Sequence, residues 1–156
     1  MRSIVNPAGA AFAAALVLLA LPAPASAGDT KFGVRGGYYT DIGEPFLGAE
    51  VLVPVARRIY FNPNFEYVFV EDLNYWTLNG DFHYDFPTHR PYYVWAGAGV
   101  GLLRVDPPGA DNSDTDVGLN LLAGVGFKAG SVVPYFQAKV ILKNGSEFAL
   151  GFGVRF

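Results

Sequence analysis

The closing segment Glu147-Phe148-Ala149-Leu150-Gly151-Phe152-Gly153-Val154-Arg155-Phe156 alternates without a fault. Phe148, Leu150, Phe152, Val154 and Phe156 share one parity, and Ala149, Gly151, Gly153 and Arg155 share the other, which is the period of a β-strand. In a soluble sheet the bulky parity would face a core and the opposite one would carry polar side chains into water. Here the opposite parity is nearly bare, with one Arg among three small residues. That suits a narrow polar interior and an apolar exterior, the inverted pattern of a transmembrane β-barrel.

The chain has 156 residues, enough for one domain, and its amino terminus reads as a leader. Arg2 gives a positive start, Ala11 to Leu21 an apolar run, and Ala25-Ser26-Ala27 a small-residue cleavage site. An uncleaved anchor would need ~20 apolar residues to span a bilayer. Residues 1–27 are therefore expected to be a cleaved signal peptide, and 28–156 the barrel domain. Loss of Arg2 moves the formal charge from −3 to −4, which argues against nucleic acid as a partner. With no cysteine, neither disulfides nor a lipid anchor on cysteine is available. A hydrophobic content of 51% and an aromatic content of 15% point to a membrane, yet no segment after the leader is apolar for long enough to span as a helix. A closed barrel reconciles these facts, because open sheet edges cannot sit in lipid.

Eight alternating segments follow, an even number. Strand one, Lys31 to Thr40, turns Phe32, Val34 and Tyr38 out and Arg35 and Tyr39 in. Strand two, Pro45 to Val55, places Gly48, Glu50 and Leu52 inside. Strand three, Ile59 to Val70, turns Asn62, Asn64 and Glu66 inward, and Pro63, which has no N–H, predicts a bulge or local break. Strand four, Tyr75 to Phe86, sets Trp76, Leu78, Phe82, Tyr84 and Phe86 against Thr77, Asn79, Asp81, His83 and Asp85. Strand five, Tyr92 to Val105, has glycines at 97, 99 and 101 on its inner parity, a bare wall for long side chains opposite. Arg104 then points outward unless a bulge at Leu102-Leu103 turns it in. Strand six, Val117 to Lys128, continues the glycine wall, and strand seven, Val132 to Lys143, carries Gln137 and Lys139 inward. With both ends in the periplasm, the loops at 41–44, 71–74, 106–116 and 143–146 lie outside the cell. Tyr38 and Trp76 then mark the outer aromatic girdle, and Tyr60, Tyr84, Phe86, Tyr92, Tyr93 and Phe156 the inner one.

The leader, the eight alternating strands, the glycine strand from Tyr93 to Gly101 and the terminal Phe156 resemble the small outer-membrane barrels that include the OmpA transmembrane domain, OmpX and OmpW. The resemblance covers essentially the whole chain after residue 27. It implies an eight-stranded antiparallel up-and-down transmembrane β-barrel in the cell outer membrane of a Gram-negative-type bacterium, exported through the inner membrane by its signal peptide. It further implies that Phe156 is an assembly signal read by the barrel-assembly machinery, and that outer-membrane lipid and lipopolysaccharide surround the barrel. The loops are shorter than those of adhesive members, and no peptidoglycan-binding domain follows strand eight.

The inward charges form the candidate site: Glu50, Glu66, Asp81 and Asp85 with His83 on one wall, and Arg35, Lys128, Lys139, Lys143 and Arg155 on the other. An eight-stranded barrel has only enough interior for side chains to fill, and buried charge is costly unless paired. Two arrangements satisfy this: a plug of cross-lumen ion pairs in a structural, envelope-stabilising protein, or a narrow channel for small solutes. A soluble lipocalin-type barrel would need the reverse facing of strand four. Asp81, His83 and Asp85 lack a nucleophile in reach, since Ser113, Ser131 and Ser146 lie in loops or at strand ends, so no enzymatic activity is expected. Asp106, Asp111, Asp114 and Asp116 do not have the spacing of a calcium loop and read as a solvated acidic stretch. No cofactor and no metal site are expected. Two registers can be set: Asp41 to Glu44 as the first loop puts Arg35 directly opposite Glu50, and Asn144 to Ser146 as the last turn puts Lys143 opposite Glu147.

Overall fold

The computed structural model describes residues 29–107, 109 and 113–156. The leader and Asp111 lie outside the described residues. Eight strands follow one another, β1 Lys31–Tyr39, β2 Glu44–Ala56, β3 Ile59–Val70, β4 Leu73–Asp85, β5 Tyr92–Asp106, β6 Asp114–Phe127, β7 Val133–Lys143 and β8 Gly145–Arg155. Each pairs antiparallel with its neighbour, and β8 returns to β1, so the sheet closes into an up-and-down barrel. No helix occurs among the described residues.

The period-2 alternation maps onto the wall without a slip of parity. Phe32, Leu47, Val100, Val117, Phe136 and Phe152 stand exposed on the outside, Val117 at 67% and Phe136 at 61%. Arg35, Glu50, Asn64, Glu66, Asn79, Asp81 and Lys139 are buried within. A circuit of the ladder from Pro54 passes Tyr60, His83, Gly97, Leu122, Lys139, Ala149 and Tyr39 and re-enters β2 at Glu44, ten residues along from Pro54. That stagger is the shear of the barrel, and it obliges the strands to tilt. We call the end where β1 begins and β8 finishes the terminal rim, and the other end the loop rim.

Pro63 does not break its strand. Its partner Gly80 continues the β3–β4 ladder unbroken, and the pairs Glu50↔Asn64 and Val53↔Phe61 keep one register with β2 on either side of it. The single shift in that ladder comes at Pro54/Ala56. The register sets Val51 opposite Pro63, whose nitrogen cannot donate to its carbonyl. Asn62 Nδ2 donates there instead, at 3.0 Å. Asn62→Ala is expected to cost about 1–3 kcal/mol, since it leaves buried acceptors unpaired. Adding Pro63→Ala should recover part of that loss by restoring an N–H, read as the urea midpoint in detergent.

Two hairpins differ from the sequence expectation by two residues, which preserves the facing. Tyr39 pairs with Glu44, so the first loop is Thr40 to Gly43, and Arg35 lies opposite Gly48 and not Glu50. Gly43, at φ 73, closes this loop by donating its N–H to Tyr39 O at 2.9 Å. In the last hairpin Lys143 pairs with Gly145, and Ile141 faces Glu147, because Gly145 at φ 131 permits a tighter turn. Lys143 Nζ still meets Glu147 Oε1 at 2.8 Å, diagonally on one face. At Arg104 no bulge occurs: Trp76, Arg104 and Thr115 pair in continuous register, and the outward guanidinium Nε donates to both carboxylate oxygens of Asp106 at 2.9 and 3.1 Å.

Candidate functional site

The inward side chains of the barrel lie in three layers. Toward the loop rim Tyr39, Phe46, Val68, Tyr75, Leu103, Ile141 and Ala149 make an apolar cluster. Toward the terminal rim Trp95, Leu122 and Tyr135 pack together with Tyr93 against them. Between these lies a buried polar layer, with Arg35, Lys139 and Arg155 against Glu50, Glu66 and Asp81, so three cations meet three carboxylates.

Glu66, fully buried, is the hub of the middle layer. Lys139 Nζ reaches across the lumen from β7 to its two oxygens at 2.9 and 2.7 Å, Arg35 Nη2 lies 3.1 Å from Oε1, Thr77 Oγ1 donates at 3.3 Å, and Tyr39 OH also donates. Glu50 takes Arg155 Nε at 2.8 Å and Asn62 Nδ2 at 3.0 Å, while Arg35 is more distant at 3.5 Å. Asp81 has no cation beside it. Two amides neutralise its field, Asn64 Nδ2 at 2.9 Å and Asn120 Nδ2 at 2.8 Å, and Asn79 joins the same chain of amides. A buried network of this kind stabilises when every member is satisfied and is costly when one is lost.

Glycines make the contacts possible. Gly33 pairs with Glu50 on one side and Arg155 on the other, and the two charged side chains meet over it. A Cβ at Gly33 would lie 2.8 Å from Glu50 Oε1. Gly48 stands in the same way between Arg35 and Glu66, and Gly99 between Asp81 and Asn120. Gly124 and Gly153 open room for the rings of Trp95 and Tyr135. Arg155 lies against both rings, its guanidinium carbon 4.9 and 4.2 Å from their centroids, a cation–π arrangement.

The remaining sequence candidates occupy other places. His83 is buried with Nε2 3.3 Å from Asp85 Oδ1 and stacks on Trp95, below the terminal rim. Lys143 sits at the loop rim beside Glu147 and Asp116. Lys128 is not in the lumen. The strand ends at Phe127, Lys128 donates its backbone N–H to Pro91 O in the turn, and its side chain is exposed. Tyr38, Trp76, Tyr84 and Tyr92 lie on the outer face, as does Phe156. Tyr93 and Tyr60 do not belong to a girdle: Tyr93 packs on Trp95 and Tyr60 on His83, both on the inner parity. Sequence reasoning passed over Phe46, Val68, Leu103, Ile141, Asn120, Trp95 and Tyr135 as lumen residues. Each lies on the inner parity of its strand, so the signal was present in the alternation.

No family model matches the sequence, and no characterised protein matches it by sequence. Solved structures do. The N-terminal β-barrel domain of Pseudomonas aeruginosa OprF aligns over 81% of this chain and 95% of its own, at 14% identity and TM-score 0.71. Neisserial surface protein A aligns over 81% and 95%, at 20% identity and TM-score 0.68. Ail, the attachment invasion locus protein of Yersinia pestis, aligns over 81% and 96%, at 16% identity and TM-score 0.53. The chain therefore has the fold of the small eight-stranded outer-membrane β-barrels.

Proposed function

We propose that this protein is an integral outer-membrane barrel with a structural, envelope-stabilising role, closed through its centre by its own side chains and without enzymatic activity. The observation that carries this reading is the filled lumen. An apolar layer rests on a charge-balanced polar layer whose members are 0–4% exposed, which supports a barrel closed at that height. The apolar exterior supports placement in a bilayer, since side chains such as Val117 and Phe136 would otherwise face water. In this reading residues 1–27 direct export, the terminal rim faces the periplasm, and the loop rim faces outward. Outer-membrane lipid and lipopolysaccharide are the lateral partners, and Phe156 is presented to the assembly machinery. Fold alone does not decide activity, so the non-enzymatic part rests on the site. Ser113, Ser131 and Ser146 are exposed and far in sequence from His83, which stacks on Trp95 inside the barrel.

Purified protein in planar bilayers is expected to give no steady ion conductance, and in detergent to show heat-modifiable gel migration. Reproducible single-channel steps would replace the sealed barrel with the narrow conduit.

A further inference from the structure

The terminal rim holds a recess of about 510 Å³ that the lumen network does not use. Lys31, Arg58 and Lys128 line it, and Tyr60, Tyr93 and Asp85 complete its wall. None of these three cations forms an ion pair among the described residues, whereas Arg35, Lys139, Lys143, Arg104 and Arg155 all do. The one carboxylate in the lining is Asp85, whose Oδ1 lies 3.3 Å from His83 Nε2 without a hydrogen bond between them. Lys128 Nζ lies 6.0 Å from the centroid of the Tyr93 ring, so the recess gathers positive charge that has an aromatic wall but no ion-pair partner among the described residues.

A second observation is conformational. Arg58 occupies the tight β2–β3 turn at φ 65, the left-handed region, which costs an L-residue other than Gly or Asn roughly 1 kcal/mol or more. Its carbonyl is fixed there by the N–H of Asp85 at 2.9 Å. Glycine would serve the turn better. Asp72 takes the same conformation, at φ 57, in the β3–β4 turn at the other rim, but only the turn residue Arg58 brings a guanidinium into the recess. Beneath this wall, Trp95 Nε1 and Arg155 Nη1 are buried donors without a protein acceptor.

The geometry points to a binding site for a divalent tetrahedral oxyanion of the phosphate class, held by Lys31, Arg58 and Lys128 at the terminal mouth of the barrel. Three positive groups against one carboxylate leave a surplus that a phosphate dianion neutralises. The guanidinium adds paired donors that match its oxygens. The same chemistry is offered by a free phosphate monoester and by the monoester phosphate of a lipid headgroup at the rim. The site stands whichever compartment the rim faces.

The test uses the refolded barrel in an uncharged, phosphate-free detergent, with inorganic phosphate titrated at constant ionic strength and ¹H–¹⁵N spectra recorded. Saturable shifts at the Arg58 and Lys128 amides and the Trp95 indole are expected with phosphate and not with chloride. Arg58→Gly, which relieves the turn and removes the charge, and the pair Lys31→Gln with Lys128→Gln should each weaken binding at least tenfold while heat-modifiability is kept. In a second arm, nanodiscs containing phosphatidic acid, whose headgroup is a phosphate monoester, without added phosphate either reproduce the shifts, which makes the headgroup the source, or leave them to the soluble anion. Absence of a saturable response in both arms overturns the site, as does a response equal to that of chloride or unchanged in the variants.

Discussion

Glu66→Gln should lower the stability of the barrel by about 3–5 kcal/mol, because it withdraws the charge that both Lys139 and Arg35 face where all three side chains are buried. Lys139 is affected most. Its Nζ is bound to both oxygens of Glu66, and the residue is buried, so the ammonium is left with no other anion within ion-pairing distance among the described residues. Lys139→Met alone should cost a similar amount by leaving Glu66 with Arg35 only. The double variant should cost clearly less than the two losses added, since the partners of a contact do not behave independently. Glu50 supplies the contrast. Arg35 lies 3.5 Å from it and 3.1 Å from Glu66, so Arg35→Met should couple more strongly to Glu66→Gln than to Glu50→Gln. Urea unfolding in detergent, followed by tryptophan fluorescence, reads all of these. Strictly additive losses for Glu66 and Lys139 would refute the hub.

Trp95→Ala should cost about 3–5 kcal/mol, the usual loss for deleting a large buried ring. Trp95 is 1% exposed and contacts His83, Tyr93, Tyr135 and Arg155, so its removal empties the layer near the terminal rim. Its place is reserved by Gly124, the paired residue on β6, where a Cβ would collide with the indole ring and approach Phe136 O at 2.8 Å. Gly124→Ala should therefore cost about 1–3 kcal/mol in the parent protein, as overpacking does, and much less in the Trp95→Ala background. Equal costs in both backgrounds, measured as shifts in urea midpoint, would show that the ring and the glycine do not share that space.

Facing was legible in the sequence because side chains alternate along a strand, and the shift at Pro54/Ala56 falls at the end of β2, past the inward Glu50 and Leu52. Glu66, Asn64 and Asn62 on β3, and Thr77, Asn79 and Asp81 on β4, could be placed inside from the alternation alone. Lys128 could not, since its parity was carried one residue past the end of the strand, where a turn no longer obeys the period. Tyr60 and Tyr93 were assigned to a girdle from their chemical type and height, although their parity points inward. Partners were harder still. Arg35 reaches Glu66 over Gly48, and Arg155 reaches Glu50 over Gly33, so both pairs skip a strand. Such pairing depends on two adjacent registers taken together, and for Arg155 on the seam that closes the barrel, so no single hairpin shows it.

The seam between β1 and β8 joins the first strand to the last along the shortest of the ladders, Gly33 to Tyr39 against Ala149 to Arg155. Its backbone pairing alone makes it the easiest line along which to open the sheet. Arg155 crosses that line and closes on Glu50, two strands away. Opening the seam parts Arg155 from Glu50 and leaves that carboxylate with Asn62 and the more distant Arg35. Arg155 is thus a clasp set across the barrel's own closure, on the line where backbone pairing is shortest.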